Sequence, residues 1–167
     1  VSNEGALGVK VGGTTFAVAS TFSEAGSKTN RFGGGGAADG WKVTVSGSPP
    51  GVVTVSGIGD VYSVTRTIAP SSGRLLITDA VHVTSSEAQG IKVAHTAAAP
   101  SGVSATEATA PGVELPTQCL TNPDRGTYGN PSVHMQVEGG ASIGMVALDD
   151  VFSVHASAAN NAHTSSL

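Results

Sequence analysis

The sequence predicts an all-β chain, an antiparallel two-sheet β-sandwich of about ten strands with one long irregular insertion. Three observations carry this. Val, Thr, Ser, Gly and Ala run in short stretches that alternate with period two. Gly, Pro or Ser interrupts those stretches about every ten residues. Only 12% of the residues are charged and 4% aromatic, against 39% hydrophobic, so the chain has strand material and few groups for chemistry. Its 167 residues suffice to bury a core, and one sandwich domain over 1–167 is expected. The net charge of −4 is too small, and the apolar content too large, for a disordered chain.

The elements follow in order. Leu7–Val11 and Thr14–Thr21 are strands joined by Gly12-Gly13, a hairpin-type dipeptide. Glu24–Gly40 reads as a loop, because Gly33-Gly34-Gly35-Gly36 is too flexible for an element interior. Trp41, Val43 and Val45 then alternate with Lys42, Thr44 and Ser46, which puts Trp41 on the core face. Ser48-Pro49-Pro50-Gly51 turns the chain into Val52–Ser56, and Gly57-Ile58-Gly59-Asp60 turns it again. In the next strand Tyr62, Val64, Arg66 and Ile68 share one face. Pro70-Ser71-Ser72-Gly73 ends it. Arg74–Thr84 is the longest strand, with Leu75, Ile77, Asp79, Val81 and Val83 on one side. Ser85–Gln89 has the cap and acidic residue of a single helical turn.

Ile91–Thr96 is another short strand. Residues 97–130 lose all periodicity and hold Pro100, Pro111, Pro116 and Pro123. An irregular insertion of that length suggests a functional excursion or an arm to a neighbour. Strands resume at Ser132–Glu138, Ser142–Leu148 and Val151–His155, with turns at Gly139-Gly140 and Asp149-Asp150. Residues 156–167 read as a tail.

Composition excludes several function classes. Eight scattered Lys and Arg offer no patch for phosphates, so no nucleic-acid partner is expected. No apolar run approaches the roughly 20 residues of a membrane-spanning helix. No signal peptide is visible, and a start at Val1 suggests a processed or excised segment. Abundant Ser, Thr and Gly with little charge point to an extracellular or cell-surface setting. Cys119, the single cysteine, is a buried thiol or a bridge to another chain.

Candidate chemistry is sparse. Asp149 and Asp150 are the candidate metal residues, since adjacent carboxylates in a turn can hold Ca²⁺ together with backbone carbonyls. The competing reading is a hairpin turn, where Asp tolerates positive φ. No other cofactor is expected. The histidines His82, His95, His134, His155 and His163 show no local metal spacing. There is no GxSxG nucleophile, and Gly33–Gly36 is followed by neither Lys-Ser nor Lys-Thr. Tyr128, in the long insertion, is the candidate ligand-binding residue, as a stacking platform for a sugar.

From Phe16 onward the order of motifs resembles that of a known β-sandwich. The pieces are Thr21-Phe22-Ser23-Glu24, Gly40-Trp41-Lys42-Val43, Tyr62-Ser63-Val64-Thr65-Arg66, Leu76-Ile77-Thr78-Asp79 and Gly90-Ile91-Lys92-Val93-Ala94-His95. Asn130-Pro131-Ser132, leading to Gly144-Met145-Val146-Ala147-Leu148-Asp149-Asp150-Val151-Phe152-Ser153-Val154-His155, is the most specific. Together, over residues 14–157, they resemble a β-sandwich domain of large secreted bacterial multidomain proteins that carry a glycoside-hydrolase-like barrel. The resemblance implies a supporting sandwich rather than the catalytic barrel, and brings no catalytic residue with it. This chain departs from the pattern where exposed faces carry Ala, Ser, Thr or Gly instead of charge.

The expected function is therefore non-catalytic, a structural or interaction role in a filament, shell or surface protein. The expected partners are the chain itself or neighbouring domains, met through sheet edges that little charge protects and through 97–130. One alternative is a carbohydrate-associated accessory domain using Tyr128 on a glycan. Another is a hydrolase using His and Asp on one sheet face.

Overall fold

The computed structural model describes residues 1–24, 29–33, 40–87, 89–103, 105–110, 113–115, 132–148, 157–159 and 164–166. The described chain is all-β, in three sheets whose assigned pairings are antiparallel. The strands are β1 (Leu7–Val11), β2 (Thr14–Glu24), β3 (Thr29–Phe32), β4 (Lys42–Ser46), β5 (Val53–Ile58), β6 (Tyr62–Ser71) and β7 (Arg74–Val83). They continue with β8 (Ile91–Ala98), β9 (Ala105–Ala110), β10 (Val113–Leu115), β11 (Ser132–Val137), β12 (Ser142–Val146), β13 (Ser157–Ala159) and β14 (Thr164–Ser166). One sheet has the order β1-β2-β8-β14-β13, with β3 also paired to β2. The others run β4-β5-β6-β7 and β10-β9-β11-β12.

The chain divides into two compact units, one of Val1–Leu7 and Ala19–Val93, the other of Gly8–Val18 and Ala94–Leu167. In the first unit, β4 to β7 form a meander of consecutive hairpins. Its inward face carries Val53 and Val55 from β5 and Tyr62, Val64, Arg66 and Ile68 from β6, all buried. Phe22 of β2 and Phe32 of β3 pack edge to face, with ring centroids 5.2 Å apart. Trp41 lies 6.3 Å from Phe22, 5.9 Å from Phe32 and 5.8 Å from Tyr62, centroid to centroid. Each such ring takes roughly 150–250 Å² out of water, a gain of several kcal/mol against the cost of ordering it. Two sheets thus meet through aromatic rings, the two-layer packing that period-two strands predict.

Glycine makes this approach of layers possible at one position. A Cβ on Gly57 would clash with Trp41 Cζ2 and stand 2.8 Å from Phe32 Cε1. The indole fills the space that a side chain on β5 would take.

The second unit has its own core. Phe16 of β2 clusters with Met135 and Val137 of β11, flanked by half-buried Val11, Ala99, Val103, Ala141 and Ile143. The β11 residues alternate between half-buried and buried along the strand. Gly139 and Gly140, both with positive φ, close the hairpin to β12, and Gly140 N–H donates to Val137 C=O at 3.0 Å.

Four expectations need correction. The loop expected over Glu24–Gly40 contains β3, which pairs with β2 from Ser20↔Phe32 to Ser23↔Thr29. Its inward positions are Asn30 and Phe32, and a polar residue on the core face hides the period. The insertion at 97–130 contains the end of β8 together with β9 and β10, and the tail contains β13 and β14. These strands consist largely of Ala, Thr, Ser and Glu, and backbone pairing holds them without an apolar stripe for sequence reading to detect. At Ser85–Glu87 there is no helical turn; the Ser85 hydroxyl instead accepts from Glu87 N–H at 3.1 Å.

Candidate interaction edge

The most distinctive surface lies on the β6–β7 hairpin. Its loop is Ser72-Gly73, with φ of 41° and 80°. Positive φ at both positions belongs to the two-residue turn whose twist matches paired strands. The loop sets the register, from Ser71↔Arg74 through Arg66↔Asp79 to Tyr62↔Val83, without a shift.

That register brings the ion pair together. Arg66 Nε donates to Asp79 Oδ1 at 2.7 Å and its Nη2 to Oδ2 at 2.6 Å. The side chains are only 1% and 11% exposed. The guanidinium carbon sits 5.1 Å from the Phe32 ring centroid and 5.8 Å from that of Phe22, within range of cation–π attraction. A charge that apolar rings alone could not hold is thus matched by two charge-assisted bonds.

A second polar group serves the same interior. Tyr62 hydroxyl donates to Phe22 C=O at 2.9 Å and accepts from Asn30 Nδ2 at 2.7 Å. Burial pushes the Tyr62 phenol above its usual value; the Asn30 bond lowers it and the nearby Glu24 charge raises it. Trp41 Nε1 donates to Arg31 C=O at 3.0 Å. This cluster is bonded as a packed interior rather than opened as a reaction centre.

The outer side of β7 differs. Leu75, Ile77, Asp79, Val81 and Val83 share the face of the buried β6 residues, yet Leu75, Val81 and Val83 are exposed, and Leu76 on the other face is 45% exposed. Among the described residues no strand pairs with this side of β7. The β1 and β4 edges are five residues long and carry the exposed lysines Lys10 and Lys42. The β12 edge is uncharged but also only five residues long. β7 has ten residues, no lysine, no proline and no bulge, and its charges are Arg74 at one end and the inward Asp79 held by Arg66, so it carries few of the devices that keep edges apart.

The remaining candidates fall elsewhere. Tyr128, Asp149, Asp150, Cys119, His155 and His163 lie outside the described residues. His82 is exposed on β7, whereas His95 and His134 are half-buried on β8 and β11. Among the described residues no three His, Cys, Asp or Glu side chains are grouped as a metal site. No described helix is long and apolar enough to cross a membrane. Comparisons with protein-family models, curated proteins and solved structures gave no match.

Sequence reading placed Arg66 on one face of its strand and Asp79 on one side of the next without recognising them as a pair. The signal was available: a two-residue turn at 72–73 forces 66 opposite 79.

Proposed function

We propose that this chain is a non-catalytic, extracellular β-sandwich protein with a structural or interaction role, assembling with itself through sheet edges in a filament, shell or surface layer. The observation that carries this reading is the β7 edge, ten residues long, straight in register and lined by exposed Leu75, Leu76, Val81 and Val83. A soluble domain that works alone ordinarily blunts such an edge with charge, proline or a bulge. The low charge of the chain supports the same reading, since few like charges oppose close packing of copies.

Light scattering with negative-stain microscopy on the native material tests it. Ordered polymers or shells are expected, growing with concentration. A monodisperse monomer at high concentration would overturn the assembly reading.

A further inference from the structure

We infer that β7 pairs antiparallel with β7 of a second copy of this chain, across a two-fold axis through Thr78. This rests on the self-assembly reading above and names its contact. The edge dictates the chemistry of its occupant. The Ser72-Gly73 loop closes the hairpin at Ser71 and Arg74, and a tight turn makes that closing pair a hydrogen-bonded one. Bonded and non-bonded pairs then alternate along the ladder. Even-numbered residues of β7 therefore bond to β6, and odd-numbered ones, from Leu75 to Val83, turn their N–H and C=O outward. An extended strand is the occupant that satisfies such a row.

Symmetry and charge select a second copy and its register. Opposed residues of an antiparallel pair lie on one face, so a strand paired with itself opposes odd to odd and even to even. Two registers overlap nearly the whole strand. One sets Asp79 opposite Asp79, a like-charge pair. The other sets Thr78 opposite itself. It opposes Leu75 to Val81 and Ile77 to Asp79 in hydrogen-bonded pairs, and Leu76 to Ala80 on the other face. Asp79 there faces Ile77 rather than a second carboxylate, and keeps its two bonds from Arg66. Arg74 meets His82 only at the ladder ends. The exposed Leu75 and Val81 thus meet each other twice across the axis, and the edge offers no run of charge to a charged partner. A single strand pair is small beside the roughly 1,200–2,000 Å² of stable interfaces, so the association is concentration-dependent.

The test combines sedimentation velocity over a concentration series with disulfide trapping, both on the full chain. In a Cys119→Ser background, Thr78→Cys would place two thiols across a non-hydrogen-bonded pair. Their Cα atoms would stand about 4.5 Å apart, inside the range of disulfides. A covalent dimer is expected on mild oxidation, absent for Thr84→Cys. Thr78→Lys, on an exposed position, should weaken association roughly fivefold by opposing two ammonium groups. Self-association with no selective Thr78→Cys dimer, and no effect of Thr78→Lys, would refute the β7 pairing while leaving assembly standing. A chain that stays monomeric throughout would overturn both.

Discussion

Removing the Asp79 carboxylate should destabilise the unit that holds it far more than removing the whole ion pair. The guanidinium of Arg66 is 1% exposed and touches both Asp79 oxygens at 2.6–2.7 Å. Asp79→Ala strands that charge among Phe22, Phe32 and the β6 interior. Breaking one side of a buried pair costs about 3–5 kcal/mol. Asp79 retains some access to water, at 11% exposure, which places the expected loss near the lower end, about 3 kcal/mol. The double variant Arg66→Met/Asp79→Leu removes both charges and keeps comparable volume, so it should lie within about 1 kcal/mol of the parent or above it. Urea unfolding followed by Trp41 fluorescence measures this directly. Trp41 is the single tryptophan of the chain and stacks in the same cluster. Additive losses in the double variant, or a cost below about 1 kcal/mol for Asp79→Ala, would refute the account of a desolvated, mutually dependent pair.

Other perturbations test the rest of the interior. Tyr62→Phe deprives Asn30 Nδ2 of its acceptor and Phe22 C=O of a donor, and should cost about 1–3 kcal/mol in the same urea titration. The phenol also sets an alkaline limit. Its folded pKa is raised, so the folded state keeps the proton longer, and stability is unaffected below the ordinary tyrosine value. Above about pH 10 stability should fall, by up to ~1.4 kcal/mol per pH unit, until the folded phenol ionises too. Tyr62→Phe should remove that part of the slope in unfolding measured between pH 9 and 12. Gly57→Ala drives a methyl into the Trp41 ring and should cost about 1–3 kcal/mol by thermal circular dichroism, part of it recovered when Trp41→Phe is added. Phe16→Ala empties the centre of the second core and should cost about 3–5 kcal/mol, read as lost hydrogen-exchange protection in β11.

The strand vocabulary alone determined the all-β class. It also placed most strands from Leu7 to Val146 and the face on which each residue sits. Backbone geometry makes side chains alternate strictly, so apolar period and Gly or Pro punctuation survive any tertiary arrangement. The buried Tyr62, Val64, Arg66 and Ile68 face was legible for that reason. What period cannot carry is which face meets which. Asn30 lies inward because Tyr62, 32 residues later, offers it an oxygen, and its polarity concealed β3. β9, β10, β13 and β14 were equally hidden, because they are short and carry no apolar stripe, and β9 and β14 also pair with β11 and β8, which lie far away in sequence. Each of the two compact units gathers its own aromatic or apolar centre, which no local period marks. The candidate edge is divided in the same way. Sequence showed that edges would be short of charge. Only strand order decided that β7, rather than one of the inner strands of its sheet, would be left with an unpaired side, because edge status depends on how strands are arranged and not on what any one of them contains.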